Sequence, residues 1–98
     1  MKKNELYNKV LDEFGLTAQT LMLAEECSEL VKACSKMARD KGFWMIKRKA
    51  IAEELADVMI MCEQMMQFHS ITPEMVKEVK PQKLQRLAER LGVTYETE

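Results

Sequence analysis

Two helix-length stretches, Ala24–Met37 (AEECSELVKACSKM) and Ala52–Met65 (AEELADVMIMCEQM), read as imperfect copies of one another, and no other feature constrains the chain as much. Laid over each other they place Glu25 on Glu53, Glu26 on Glu54, Glu29 on Asp57, Cys34 on Cys62 and Met37 on Met65. Acids and apolar residues therefore repeat together. The apolar positions recur in threes and fours: Met22/Leu23, Cys27, Leu30, Cys34 and Met37 in the first stretch, Ile51, Leu55, Val58, Cys62 and Met65 in the second. That is the seam spacing of helices in a bundle, and it predicts an all-α fold around a central antiparallel hairpin.

Positions three apart share one face of a helix, so Glu26 with Glu29 and Glu54 with Asp57 each form a carboxylate pair on a single ridge. Each pair stands one residue before an apolar seam position, and antiparallel packing would gather all four acids at the lip of the interface. Like charges four apart, Glu25 with Glu29 and Glu53 with Asp57, cost each helix roughly 0.2–0.5 kcal/mol. No Lys or Arg stands four residues after any of these acids to offset them. The acids are thus a cost to folding that a cation relieves. A set of oxygen donors without His or thiolate at ligand spacing suits a hard divalent ion, Mg²⁺ before Ca²⁺. A lone EExxE is as readily a solvated helix flank; two sets in the same register against two seams favour a site.

The totals bound the rest. Ninety-eight residues make one small domain, residues 1–98, with a core over 3–91 and a tail over 92–98, able to bury roughly 60–65% of its unfolded surface. A formal charge of −1 argues against general nucleic-acid affinity. Two prolines and three glycines among many Leu, Met, Ala, Glu and Lys agree with all-α. MKKNELYNKV lacks the apolar region of a signal peptide and no apolar run reaches membrane-spanning length, so a cytoplasmic protein without membrane contact is expected. Cys27, Cys34 and Cys62 have no CxxC spacing and read as small hydrophobes on the seams; the nine methionines read mostly as core gap-fillers.

Along the chain, a first helix over about Lys3–Phe14 stops at Gly15, and Thr17 is a candidate N-cap for a second helix reaching about Arg39. The connection Asp40–Lys47 carries Gly42 as a C-terminal cap and then Phe43, Trp44 and Met45. These form either a plug over the hairpin end or an aromatic platform for a nucleobase, with Trp44 the candidate. Lys47, Arg48 and Lys49 open the third helix against its dipole, either as exposed lysines and arginine or as partners of an anionic ligand. That helix runs to about His69. Its middle, Val58–Cys62, is apolar all round, more than a 98-residue monomer can cover, so at least a homodimer is expected. His69 lies too far from Asp57 to share its ion. Thr72-Pro73-Glu74 starts a fourth helix, Pro81 is expected to break or kink it, and Gln82–Leu91 ends at Gly92. Lys83, Arg86 and Arg90 form a basic ridge there, either a solvated face or one that reaches for phosphates of its own subunit or a neighbour's.

Glu25-Glu26-x-x-Glu29 followed by Glu54-x-x-Asp57 resembles the EExxE…ExxD signature of the MazG-like all-α nucleoside triphosphate pyrophosphohydrolases, and Lys83-x-x-Arg86 on the following helix is similar to that family as well. The resemblance covers about Leu16 to Arg90. It implies a bundle of four to five helices assembled as a homodimer or homotetramer, and hydrolysis of an NTP or dNTP between the α- and β-phosphates to a nucleoside monophosphate and pyrophosphate, as nucleotide-pool housekeeping. It implies Mg²⁺, with Mn²⁺ as a substitute, on Glu26, Glu29, Glu54 and Asp57; phosphate contacts from Lys83 and Arg86; and Glu25 and Glu53 as outer aids to the attacking water. Trp44, Lys47 and Arg48 complete the expected substrate contacts on the reading of the residues above. Pro81 departs from the family pattern. A phosphoribosyl-ATP pyrophosphohydrolase is the alternative within the same chemistry, and a non-catalytic helical dimerisation module the alternative outside it.

Overall fold

The computed structural model describes the backbone of residues 1–40 and 44–96 and the side chains of 1–40 and 47–96. Four helices follow one another: α1 (Lys3–Phe14), α2 (Leu16–Arg39), α3 (Trp44–Phe68) and α4 (Pro73–Arg90). No strand occurs among the described residues, so the chain is all-α. Among those residues no helix is long and apolar enough to cross a membrane.

A single residue joins α1 to α2. Gly15 adopts φ 84° and ψ 162°, a left-handed backbone that a side chain disfavours. Its N–H donates to the Leu11 carbonyl at 2.8 Å and its carbonyl accepts from the Gln19 N–H at 3.2 Å, which closes one helix and opens the next. This corrects the expected N-cap: Thr17 lies inside the first turn of α2, because a one-residue joint leaves no room for a side-chain cap. The third helix likewise starts earlier than expected, at Trp44, which places Lys47, Arg48 and Lys49 about a turn inside it. The cap expected at Gly42 and the apolar Phe43 lie outside the described residues.

The ends of α3 and α4 follow one rule. Beyond α3 the Ile71 N–H donates to Met66 O at 2.8 Å and the Ser70 N–H to Gln67 O at 3.3 Å. Beyond α4 the Val93 N–H donates to Ala88 O at 3.0 Å and the Gly92 N–H to Glu89 O at 3.1 Å. Both are Schellman closures, with Ser70 (φ 55°) and Gly92 (φ 68°) in the left-handed position. Thr72 caps α4 as expected, accepting from the Met75 N–H at 3.2 Å, with Pro73 as first helical residue. Pro81 does not break that helix, which runs on from Pro73 to Arg90. The Lys77 carbonyl that a proline at 81 cannot pair sits on an exposed stretch, where water can take the place of the missing donor.

Packing between α2 and α3 dominates the structure. Thr20 Oγ1 lies 3.9 Å from Met65 Sδ, Glu26 lies with Glu54 and Asp57, and Lys47 Nζ reaches the Lys36 carbonyl at 3.4 Å. Numbers rise on one helix as they fall on the other, so the two run in opposite directions. The half-buried and buried positions of this contact are Leu23, Glu26, Leu30, Ala33 and Met37 on α2, and Ile51, Glu54, Val58, Met61 and Met65 on α3. The contact thus follows a ridge one residue away from part of the expected seam. Cys27, Cys34, Leu55 and Cys62 are exposed, on the flank, and the acids Glu26 and Glu54 stand in the seam itself. Apolar spacing could not choose between these ridges, because α3 is apolar on nearly every side.

The first helix lies against one end of this pair. Tyr7 is buried and its Oη donates to Glu63 Oε2 at 2.9 Å, while Lys3 Nζ approaches the same oxygen at 2.8 Å. Gln67 Nε2 donates to Asn4 O at 2.9 Å and to Asn8 Oδ1 at 2.8 Å. By contrast α4 makes no close backbone approach to any other helix among the described residues.

The result is an open molecule. Its accessible surface is 8042 Å², where a compact monomer of its 11.4 kDa would expose about 5,800 Å². Its radius of gyration is 16.9 Å, against about 12–13 Å for a compact domain of this length. Tyr7, Met61 and Ala88 are the buried apolar residues among those described, while Met59, Val31 and Leu87 stand more than half exposed.

Candidate functional site

Glu26 of α2 and Glu54 of α3 bring carboxylates into the contact between the two helices. One carboxylate oxygen each from Glu26, Glu54 and Asp57 lies within 4.8 Å of the other two, with Glu26 and Glu54 half-buried and Asp57 exposed. Asp57 joins from one turn along α3, three residues after Glu54, the spacing that puts both on one ridge. Partial burial, and then the charges of Asp57, Glu54, Glu25 and Glu29, hold the Glu26 carboxyl above the ordinary carboxylate range. Burial and like charge both disfavour the ionised form, and a cation among these oxygens would reverse both.

Glu29, the fourth expected ligand, is not drawn into this group. Its Oε1 lies 3.3 Å from Lys32 Nζ, three residues on, and its side chain is half exposed. Glu25 and Glu53, the expected outer acids, are both exposed; Glu53 Oε1 stands 4.0 Å from Lys49 Nζ. The repulsion expected along the acidic ridges is therefore partly offset: Lys32 lies three residues after Glu29 and Lys49 four before Glu53, so neither stands four residues after an acid.

Toward the α2–α3 connection the carboxylates give way to lysines. A cleft of about 210 Å³ is lined by Glu29, Lys32, Ala33, Lys36, Lys47, Ala50 and Glu54. Lys47 belongs to it, tied by its ammonium to the Asp40 carboxylate and to the Lys36 carbonyl. That hydrogen bond and charge from Lys47 hold the Asp40 carboxyl below its ordinary value. Arg48, the next residue, is exposed. Trp44 opens α3 and its side chain lies outside the described residues. Lys83 and Arg86 lie on α4, which stands clear of α2 and α3, so within one chain they are not brought to the carboxylates. Lys83 borders an apolar groove with Ile71 and Val79, and Arg86 lies beside Tyr95.

Lys32 and Lys36 were missed by reasoning from the sequence. Their signal was available: they follow Glu29 by three and seven residues and so continue its ridge.

The donor set fits a small hard cation. All three groups are carboxylates, and an octahedral ion with oxygens at about 2.1 Å needs opposite ligands about 4.2 Å apart, within small side-chain adjustments of this spacing. Compared with models of protein families, with curated proteins and with solved structures, the chain has no match in any of the three.

Proposed function

We propose that this protein is a Mg²⁺-dependent nucleoside triphosphate pyrophosphohydrolase of the MazG-like kind, cleaving an NTP or dNTP between the α- and β-phosphates. The observation that carries the proposal is the convergence of Glu26, Glu54 and Asp57 from two helices into a group 4.8 Å across, its exposed edge opening beside a cleft lined by lysines. A bound ion, Mg²⁺ or in its place Mn²⁺, would supply charge neutralisation to the phosphates. Glu26, Glu54 and Asp57 would hold it, with Glu29 one turn from Glu26 on the same helix. Water attacks the α-phosphorus, the bond from that phosphorus to the α–β bridging oxygen breaks, and pyrophosphate departs. The proton of the attacking water passes to an exposed carboxylate beside the site, Glu25 or Glu53.

Self-association belongs to the same proposal. Ala24, Cys27, Val31 and Cys34 of α2 and Ala52, Leu55, Met59 and Cys62 of α3 each lie one position beyond the packed ridge. Because the helices are antiparallel, these residues fall on one side of the pair, opposite Glu25, Glu29, Glu53 and Asp57. A second copy seated on that side completes a four-helix core and leaves the carboxylates accessible.

The test is release of pyrophosphate from mixed dNTPs with and without Mg²⁺. Release that requires Mg²⁺ and is lost in Glu26→Ala and in Asp57→Ala, but kept in Glu78→Ala on α4, is the expected outcome. No release from any nucleotide under any condition would leave a helical dimerisation module as the better reading.

A further inference from the structure

We propose that the lysine-lined cleft beside the carboxylates is a polyphosphate seat, in which Lys32, Lys36 and Lys47 hold the phosphates of the substrate that become the leaving pyrophosphate. The inference rests on the site proposed above and assigns its direction: the phosphate chain runs from the carboxylates toward the α2–α3 connection.

The order of charges along the helix pair carries the argument. Glu26 and Asp57 lie at one level, Glu29 and Glu54 at the next, then Lys32, and last Lys36 with Lys47. At 1.5 Å per residue, Lys32 lies about 4.5 Å and Lys36 about 10.5 Å along α2 from Glu29. Lys32 reaches back to Glu29, and both lysines line the cleft beyond it. The cleft is therefore bipolar, with anionic oxygens at one end and ammonium groups at the other. A cation alone would need only the first end and a simple anion only the second. A divalent ion carrying a polyphosphate has the matching charge at both.

Local structure holds two of the three ammonium groups, those of Lys32 and Lys47. Ala33 and Ala50 line the cleft between the lysines, and their small side chains leave the hollow of about 210 Å³, room for several waters or a short phosphate chain. Lys47, with its side chain 23% exposed, is held by Asp40 and by the Lys36 carbonyl. Lys36 has no carboxylate within ion-pair distance among the described residues, and Lys32 is paired with Glu29, a group the metal can claim. Metal binding would then release the Lys32 ammonium at the point where phosphate arrives. On this assignment Lys83 and Arg86, remote from the carboxylates of their own chain, are not needed for the leaving group.

Calorimetry with inorganic tripolyphosphate in Mg²⁺ as one titrant, and Mn²⁺ alone as another, tests this on the intact chain. Lys36→Met and Lys32→Met should each weaken tripolyphosphate at least tenfold and leave Mn²⁺ affinity within twofold, while Lys80→Met on α4 leaves both unchanged. Circular dichroism confirms that each variant is folded, and Lys36→Arg should restore most of the affinity. If both cleft variants bind tripolyphosphate as tightly as Lys80→Met, the seat is wrong even where Mn²⁺ binds normally. If wild type binds no Mn²⁺, the metal reading fails instead, and lysine-dependent tripolyphosphate binding in EDTA still decides the seat: its presence supports the assignment and its absence overturns it.

Discussion

Placing a charge at Met59 should split the protein into monomers. Met59 is 61% exposed in the single chain, and it lies on the side of the α2–α3 pair proposed to meet a second copy. The surface of 8042 Å² exceeds that of a compact monomer by about 2,200 Å², far more than the roughly 800 Å² each partner gives to a standard interface. Changing Met59 to Glu gives up about 1.5–3 kcal/mol of apolar burial per copy and adds an unpaired carboxylate to a closed interface. Taking about 3 kcal/mol per copy, a twofold contact contains the change twice, so the dimer loses about 6 kcal/mol, or about 10⁴-fold in dissociation constant. Sedimentation velocity from micromolar to hundreds of micromolar reads this directly. Wild type should sediment as a dimer or larger, Met59→Glu as a monomer, and Lys77→Glu, exposed on α4, as wild type. A wild type that stays monomeric throughout would refute the argument from excess surface. A Met59→Glu protein that associates like wild type would refute the choice of face.

Three further outcomes are expected. Ser70→Gly should raise stability by about 1 kcal/mol in urea titrations, since Ser70 holds φ 55° in a closure where glycine is unstrained. Lys3 and Tyr7 donate to Glu63 and hold its carboxyl below the ordinary range, so that group adds stability above its unfolded value, lost as pH falls through the lowered one. Glu63→Gln should therefore be less stable than wild type at neutral pH, with the gap closing below about pH 4; a gap unchanged down to pH 2 would dismiss the interaction. Mg²⁺ at about a hundred times its dissociation constant should stabilise wild type by about 2.7 kcal/mol, read as a higher Tm. The combined variant Glu26→Gln, Glu54→Gln, Asp57→Asn should melt above the metal-free parent and ignore Mg²⁺.

Much of the helical plan was legible because it rests on local chemistry. Gly15 and Thr72-Pro73 mark helix ends whatever surrounds them, and α1 and the start of α4 follow from these residues alone. The start of α3 is less legible, because Lys47, Arg48 and Lys49 stand out against a helix dipole while the helix already begins at Trp44. The acidic pairs could be found from i,i+3 spacing, but their depth could not. Whether Glu26 stands at the lip or in the seam depends on which of two neighbouring apolar ridges α3 presents, and that choice is made by packing across the chain. The same limit hid the lysines, since Lys32 and Lys36 gain meaning only when Lys47 arrives from the other helix. The basic ridge of α4 was legible as a ridge, whereas its separation from α2 and α3 is a tertiary fact.

Two acids in the most extensive contact of the molecule make its interior conditional. Apolar residues at positions 26 and 54 would knit the two long helices more tightly and remove a place where they pull apart in charge. A variant library sorted for heat resistance alone should drift toward that inert zipper, and one sorted under magnesium should keep its acids.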